Sequence, residues 1–112
     1  MVVVQYHAIL RGPSLKISQV RDGMDGIDVI GRITLIGSSK TVETNVGATQ
    51  VTAAVVEDDT GKIHLNLWRN QIDIVEDGDF VRIENGFVRT FEGQLELNVG
   101  GRGRIIVISR DL

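Results

Sequence analysis

Residues 49–68 read TQVTAAVVEDDTGKIHLNLW, two apolar stretches on either side of a short acidic segment that ends in glycine. In the second stretch Ile63, Leu65 and Leu67 alternate with other residues, which is the two-residue period of a half-buried strand. The first stretch is rich in β-branched residues, and DDTG (58–61) has the composition of a hairpin turn. The segment therefore predicts an antiparallel hairpin, one side of which packs against a hydrophobic core.

Further short strands are predicted on both sides of this hairpin. Upstream, IDVIGRITLIG (27–37) reads as one strand, with a bulge or sharp bend at Gly31 and a polar loop, SSKTVETNVG, after it. Downstream, FVRIEN (80–85) and QLELNV (94–99) read as strands, and RIIVIS (104–109) either continues the last one or adds a sixth. The residues predicted to face inward from these strands are Val29, Ile33, Leu35, Val81, Ile83, Leu95 and Leu97.

The segments between the strands leave little room for helix. The connector RNQIDIVEDGD (69–79) fits little more than one helical turn, and GFVRTFEG (86–93) joins the fourth strand to the fifth. Thirteen glycines and one proline also favour an all-β chain with many turns. A small closed barrel of roughly five or six strands is predicted, because closure removes the exposed edges that an open sheet would leave.

The length of 112 residues favours one domain, which we assign to residues 14–112. Residues 1–13 are treated as an N-terminal extension of uncertain role, in which VVVQYHAIL forms either an extra strand or a docking segment for another subunit or domain. The absence of cysteine excludes disulfides, a redox thiol and a cysteine-based zinc site. No apolar run is long enough for a membrane span and no signal peptide is recognisable, so a cytoplasmic, nucleoid-associated protein without membrane contact is expected.

The charges are unevenly distributed along the chain. A net charge of −3 argues mildly against a general polyanion binder, but binding depends on local charge. Seven of the fifteen acidic residues lie between residues 57 and 79, whereas four arginines and three acidic residues follow residue 85. The acidic residues are therefore concentrated away from the stretch GFVRTFEG.

Aromatic and basic residues share the outward side of the predicted strands. In an extended GFVRTFEG, Phe87, Arg89 and Phe91 fall on one face, and the alternation that buries the leucines of KIHLNLW turns Trp68 outward. Flat rings beside guanidinium groups suit single-stranded nucleic acid, because bases stack on the rings and the cations neutralise phosphates. The arginines predicted to flank the rings are Arg32, Arg89, Arg102 and Arg104. A structural interpretation stays open, with Trp68 at the edge of the core and both phenylalanines closing one end of the barrel.

Two runs, VVEDDTGKIHLNLWRNQ and EDGDFVRIENGFVRTFEGQLELNVG, resemble the archaeal OB-fold single-stranded DNA-binding proteins, whose relatives include the simple human single-stranded DNA-binding proteins and replication protein A. The order and spacing agree almost continuously over residues 54–100. The resemblance implies a Greek-key OB-fold barrel in which Trp68, Phe87 and Phe91 stack on bases. Two positions depart from the family by lacking a basic residue, Gln50 and Glu92, which weakens the expected electrostatic attraction.

The predicted contacts to the backbone and polar groups of the strand are more numerous. Arg32 and Lys40 match positions that are often basic in the family, and His64 could stack on or bond a base or be a solvated strand residue. The full predicted set is Arg32, Lys40, His64, Asn66, Arg69, Arg89, Gln94, Asn98, Arg102 and Arg104. The acidic tail found in several relatives is not seen, so the chain is expected to be a minimal protein or one domain of a longer multi-OB chain.

Motifs for other chemistries are weak. Asp59–Thr60–Gly61 spells the aspartic-protease triplet, but acidic residues precede it and Lys62 follows, which favours a hairpin turn. His7 and His64 lie far apart, and neither has a recognisable triad partner. GGRGR (100–104) is either a turn or a backbone contact to phosphate. The sequence predicts no catalytic activity, no cofactor and no metal.

The function predicted from the sequence is binding of single-stranded DNA with little sequence preference during replication, recombination or repair. Two alternatives stay open: a domain that binds RNA or tRNA, and a protein-interaction domain of a larger complex that resembles replication protein A. Replication or repair proteins are possible partners, and the oligomeric state is left open.

Overall fold

A computed structural model describes residues 13–110 and shows five strands with two short 3₁₀ turns. The predictions for VVVQYHAIL lie outside the described residues. The strands are β1 (Asp25–Thr44), β2 (Gly47–Asp58), β3 (Gly61–Trp68), β4 (Phe80–Phe91) and β5 (Gln94–Ser109). They close into a barrel in the order β1-β2-β3-β5-β4, and the 3₁₀ turns cover Ile17–Gln19 and Arg69–Asp73. Within residues 13–110 no helix is long and apolar enough to cross a membrane.

The barrel interior is filled by the apolar residues that alternate along the strands. The alternation in β3 is confirmed, because Ile63, Leu65 and Leu67 are buried while the residues between them are not. Burying each such side chain stabilises the fold by about 1.5–3 kcal/mol. The largest fully buried apolar side chains are Ile33, Leu65, Leu67, Ile83, Leu97, Val20, Val29, Val56, Val81 and Val88.

The barrel is closed between β3 and β5, the one parallel pairing among the described strands. This pairing is short, with His64 opposite Glu96 and Leu65 opposite Leu97. The antiparallel pairings of β1 with β2 and of β4 with β5 run over ten or more residue pairs each. We call the short parallel pairing the β3–β5 seam.

β1 corrects two predictions from the sequence. The segment 38–47 was predicted to be a loop, but β1 continues to Thr44 and pairs with β2 down to Gly47, which forms a long hairpin arm. Leu35 was predicted to face inward, yet it is 61% exposed. A register shift between Ile33 and Leu35 inserts an extra residue in β1 and reverses the alternation, so Ile36 packs against the core instead.

Gly31 is required by close contact rather than by a bulge. The pairing of β1 with β4 is unbroken through Gly31, and β1 begins to pair with β2 at the next residue, Arg32. A Cβ atom on Gly31 would lie 2.6 Å from the carbonyl oxygen of Glu57. Any side chain here would force β1 away from β2 where the strand passes from one partner to the other.

β4 and β5 are longer than predicted. The segment GFVRTF is part of β4, and a turn at Glu92 and Gly93 leads directly into β5. β5 runs through GGRG, so RIIVIS continues the fifth strand and adds no sixth. A Cβ atom on Gly103 would lie 2.6 Å from the carbonyl oxygen of Glu84. The glycine therefore allows the two backbones to approach beside the register shift that follows Glu84.

An ion pair fastens the end of β5 to the β3–β4 connector. The Arg110 guanidinium donates from Nε to Asp79 Oδ1 at 2.9 Å and from Nη2 to Asp79 Oδ2 at 2.8 Å. Asp79 is fully buried and also accepts a bond from the backbone N–H of Glu76. The hydrogen bond from Arg110 outweighs the effect of burial and lowers the pKa of Asp79 below its usual 3.8.

Candidate functional site

The three predicted stacking residues lie on one outer surface of the barrel. β5 lies between β3 and β4, and the register places Phe87 opposite Asn98 and Phe91 opposite Gln94. Trp68 lies at the end of β3 and bonds Asn98 from the other side. We call this surface, which spans β3, β5 and β4, the aromatic face. Its residues are His64, Asn66, Trp68, Phe87, Arg89, Phe91, Gln94, Glu96 and Asn98.

Trp68 is held by hydrogen bonds from two directions. Its indole Nε1–H donates to Asn98 Oδ1 at 3.0 Å, and its backbone N–H donates to Gln71 Oε1 at 2.9 Å. The Gln71 side chain in turn donates to the carbonyl oxygen of Val99 at 2.8 Å. The polar edge of the half-buried indole is thus occupied, and what it can offer a ligand is a ring face.

Asn98 supports the aromatic face from beneath. It is buried, and its Oδ1 accepts bonds from both Trp68 and Asn66. The sequence predicted Asn98 as a direct contact to nucleic acid, but a buried amide with an occupied oxygen is poorly placed for that role. The geometry indicates that it orients the Trp68 ring.

The row of Phe87, Arg89 and Phe91 lies on one face, as the alternation predicted. The Arg89 guanidinium stacks over the Phe87 ring at 4.7 Å from its centroid and donates to the carbonyl oxygen of Val88. Phe91 is 60% exposed, so its ring does not close the barrel end. A large exposed ring beside an exposed arginine is available for contact with a partner.

Glu96 is the member of the aromatic face that the sequence analysis missed. It accepts a 2.9 Å bond at Oε1 from the Asn66 side-chain amide, and it lies opposite Arg89 in the register. The signal was present, because Glu96 falls between the inward Leu95 and Leu97 and therefore points outward. Glu96 was not predicted because the candidate contacts were chosen as cations and neutral polar groups, which suit phosphate, whereas Glu96 is acidic.

An open groove of about 510 Å³ continues from the two rings of Trp68 and Phe87. Arg69 lies on its wall, with a left-handed φ of 52° and a 2.8 Å bond from Nε to Thr49 Oγ1. Lys40 is exposed and pairs with Val51, which pairs with Trp68 in turn. Lys40 therefore lies in the same cross-strand row as Trp68, and Arg69 follows Trp68 directly in the chain. The other residues of the groove come from the tip of the β1–β2 arm, the β3–β4 connector and residues 99–101 of β5: Thr44, Val46, Asn70, Gln71, Ile74, Val99, Gly100 and Gly101.

Arg32 lies apart from the aromatic face. Its guanidinium stands 5.5 Å from the centroid of the Phe80 ring and donates to the carbonyl oxygen of Gly78. It pairs with Glu57, six residues along β2 from the partner of Trp68, which is roughly 20 Å of strand. The prediction that Arg32 flanks the rings is wrong in its geometry.

Arg104 belongs to a cluster of charges on β1, β4 and β5. Its Nε contacts Glu84 Oε1 at 2.9 Å, and the second Glu84 oxygen accepts from Arg82 Nε at 3.0 Å. Arg82 also contacts Asp28 at 3.0 Å. We call Asp28, Arg82, Glu84 and Arg104 the salt-bridge cluster, whose first three members are buried. The structure therefore places Arg104 in an ion pair rather than beside the rings.

Arg102 remains near the groove. It follows the glycines Gly100 and Gly101 of the groove wall, its side chain is exposed, and its carbonyl oxygen accepts a bond from Asn85. Of the four arginines predicted to flank the rings, Arg89 lies on the aromatic face and Arg102 at the edge of the groove.

The acidic turn DDTG is a hairpin, as predicted. Asp58 pairs with Gly61, and Asp59 forms a 2.9 Å ion pair with Lys16. Burial alone would raise the pKa of Asp58, but hydrogen bonds from Thr60, Ile17 and Gly61 outweigh it and hold the pKa below 3.8. These bonds account for the carboxylate as a turn-forming group.

Comparison with known proteins places this geometry among nucleic-acid binders. The profile of a family described as "Single-stranded DNA binding protein Ssb-like, OB fold" matches residues 27–107. The single-stranded DNA binding protein Ssb of Saccharolobus solfataricus is 29% identical over 96 residues, which cover 86% of this chain and 65% of that protein. Replication factor A of Methanothermobacter thermautotrophicus is 32% identical over 109 residues, which cover 94% of this chain and 14% of that protein.

A solved structure agrees with the family profile. The solution structure of an OB domain from Thermoplasma acidophilum is 34% identical and superposes with a TM-score of 0.75, covering 88% of this chain and 89% of that domain. The chain therefore spans nearly all of a single solved OB domain, but less than two thirds of the length of the two relatives compared above.

Proposed function

The chain belongs to the Ssb-like family of OB-fold single-stranded DNA-binding proteins, and from that premise we propose that it binds single-stranded DNA with little sequence preference. The matched residues, 27–107, include almost the whole barrel. Membership confirms the resemblance and the OB-fold barrel predicted from the sequence. The proposal places the chain on DNA strands exposed during replication, recombination or repair.

The observation that carries the proposal is the placement of Trp68, Phe87 and Phe91 on one continuous outer surface. A ring held in place loses little freedom when a base stacks on it, and Trp68 is held by Asn98 and Gln71. Base stacking contributes roughly 1–3 kcal/mol per base and tolerates any sequence, because every base has a flat face. The fixed indole and the exposed Phe91 supply such contacts at both ends of the aromatic face.

The cations around the aromatic face suit a phosphate backbone. Arg89 lies between the two phenylalanines, whereas Lys40, Arg69 and Arg102 follow the groove and its approaches. In our proposal the bases stack on the rings while these four side chains track the phosphates. Each phosphate contact would add about −0.7 to the slope of log affinity against log salt concentration.

The test is quenching of tryptophan fluorescence during titration with an unlabelled oligo-dT strand, at low and then high salt. Trp68 is the single tryptophan, so the signal reports from the aromatic face. We expect strong quenching that weakens as salt rises. A duplex of the same length is the control, because its bases are stacked on each other and are expected to quench little.

Two other outcomes would redirect the proposal. An RNA strand that binds more tightly than DNA of equal length would favour the RNA-binding alternative, since 2′-hydroxyl contacts would then contribute. No quenching and no binding in an independent gel-shift assay would overturn the proposal and favour the protein-interaction domain. Replication or repair proteins are the partners that this last alternative would require.

A further inference from the structure

The aromatic face carries one carboxylate among its rings, and the proposed function does not use it. Glu96 lies on β5, opposite Arg89, and two residues before Asn98. Asn98 lies beneath Trp68, while Arg89 lies between Phe87 and Phe91 along β4. In a sheet, a residue lies roughly 5 Å from its direct partner and 7–8 Å from its diagonal ones. Glu96 is therefore within reach of the edge of a base stacked on Phe87 or Phe91, and Asn98 lies between it and Trp68.

Glu96 is held in position but retains hydrogen-bonding capacity. Its Oε1 accepts the bond from Asn66, and the same amide bonds Asn98, so the side chain belongs to the network that orients Trp68. Among residues 13–110, no cation forms an ion pair with Glu96 and no second donor contacts its carboxylate. The half-buried group thus offers free acceptor positions at the surface.

The neighbouring cation is engaged elsewhere. Arg89 stacks on Phe87 and donates to the carbonyl oxygen of Val88. A carboxylate among proposed DNA contacts repels phosphates, so the backbone of the strand is expected to run on the β4 side, where Arg89 lies, while base edges turn toward Glu96 on β5. The acceptor then meets the part of the ligand that carries sequence information.

We propose that Glu96 gives the aromatic face a base preference, favouring cytosine over thymine. This inference rests on the proposed function, because it needs bases stacked on the rings of the aromatic face. A carboxylate accepts a bond from the exocyclic N4 amino group of cytosine. The one ring N–H of thymine lies between two carbonyl oxygens that a carboxylate repels. Guanine presents adjacent N1–H and N2–H donors to the same group and is favoured for the same reason.

The experiment compares affinities for oligo-dC and oligo-dT of equal length at pH 7.5, where cytosine is uncharged. We expect the unmodified protein to bind oligo-dC about three- to tenfold more tightly, the effect of one net hydrogen bond. Glu96→Gln should bring the ratio close to one, because an amide can both donate and accept. A dT strand with a few guanines should bind more tightly than pure dT, and that gain should also disappear in Glu96→Gln.

Glu92→Gln is the matched control. It removes the same charge from the exposed β4–β5 turn at the edge of the aromatic face. Both substitutions should raise affinity for oligo-dT through electrostatics, but Glu92→Gln should leave the ratio of dC to dT binding unchanged. Proper folding of both variants is checked by their unfolding midpoints.

The outcomes separate this inference from the proposed function. Equal binding of dC and dT, or an unaltered ratio in Glu96→Gln, overturns the base preference and leaves single-stranded DNA binding intact. A loss of ratio in both variants also overturns it, since charge alone would then be responsible. Failure of every strand to bind overturns the proposed function and this inference together.

Discussion

The aromatic face and the salt-bridge cluster lie on the outside of the same barrel but differ in the exposure of their side chains. In the cluster, Arg82 bridges Asp28 and Glu84, and all three are buried. On the aromatic face, Arg89 and Phe91 are exposed. The two surfaces share β4 and β5, so one pair of strands serves both.

The difference indicates that the partners of a side chain, rather than its residue type, distinguish the proposed binding surface from the salt-bridge cluster. Arg89 and Arg104 are both outward arginines on neighbouring strands. One stacks on a ring at the surface, and the other pairs with a buried carboxylate. A surface whose charges are already paired contributes little binding free energy to a charged ligand. Exposed rings and cations contribute more, because bases stack on the rings and phosphates pair with the cations.

The largest expected effect tests the structural side of this comparison. Arg82→Met removes the guanidinium from between two buried carboxylates and should lower the free energy of unfolding by about 3–5 kcal/mol. The measurement is urea unfolding followed by circular dichroism. Arg89→Met is the control on the aromatic face and should stay within about 0.5 kcal/mol of the parent. Similar decreases in the free energy of unfolding of the two variants would contradict the proposed difference between the two surfaces.

The next effect concerns the ion pair between the buried Asp79 and the exposed Arg110. Asp79→Asn removes charge-assisted bonds and should lower the free energy of unfolding by about 1.5–3 kcal/mol at neutral pH. Because the folded pKa of Asp79 lies below its usual 3.8, this contribution is present above pH 3.8 and is lost as the pH falls through the folded value. Unfolding curves measured from pH 7 to pH 2 should converge for the two proteins. Parallel curves over this range would contradict the assignment.

Trp68→Ala should reduce affinity for single-stranded DNA by about 1–3 kcal/mol with little loss of fold. The physical reason is the loss of one stacking face, and the measurement is fluorescence anisotropy with a labelled strand. Phe80→Leu is the matched control, because Phe80 is likewise a half-buried aromatic residue but lies beside Arg32, away from the aromatic face. Unchanged affinity in a folded Trp68→Ala variant would remove Trp68 from the proposed contacts.

The smallest expected effect is a difference between Arg89 and Arg104 in the salt dependence of DNA binding. Arg89→Gln should reduce the magnitude of the salt slope by about 0.7, the value for one phosphate contact on a single strand. Arg104→Gln should leave the slope unchanged, because its charge is balanced by Glu84. Affinity measured at four or more salt concentrations gives both slopes. A larger change for Arg104→Gln would place the strand across the salt-bridge cluster instead.

The sequence predicted what depends on local alternation. The buried side of β3 and the shared face of Phe87, Arg89 and Phe91 follow directly from the two-residue period of a strand. The resemblance to a family then supplied the closed OB-fold barrel, which the family match confirms. Both inferences use residues that are close in the chain or fixed in spacing.

What the sequence could not predict depends on pairing between distant residues. Leu35 is exposed because a register shift against β2 reverses the alternation of β1. Arg104 is neutralised by Glu84, twenty residues earlier in the chain. Asn98 is buried, and its side-chain oxygen is occupied by Trp68 from another strand. The composition and the two-residue strand period do not identify these partners. For that reason the sequence predicted ligand contacts for every outward arginine and amide in the set.

Closure of the barrel at the β3–β5 seam is expected to be coupled to binding of the proposed ligand, single-stranded DNA. Beyond its two residue pairs, the seam is bridged by side-chain bonds from Trp68 to Asn98 and from Asn66 to Glu96. A DNA strand stacked on Trp68 in β3 and on Phe87 in β4 crosses that seam, so its binding is linked to the closed state. Opening of the seam would separate the two rings. We therefore expect spontaneous opening of the barrel and release of DNA to be a single event, and bound DNA to make that opening rarer.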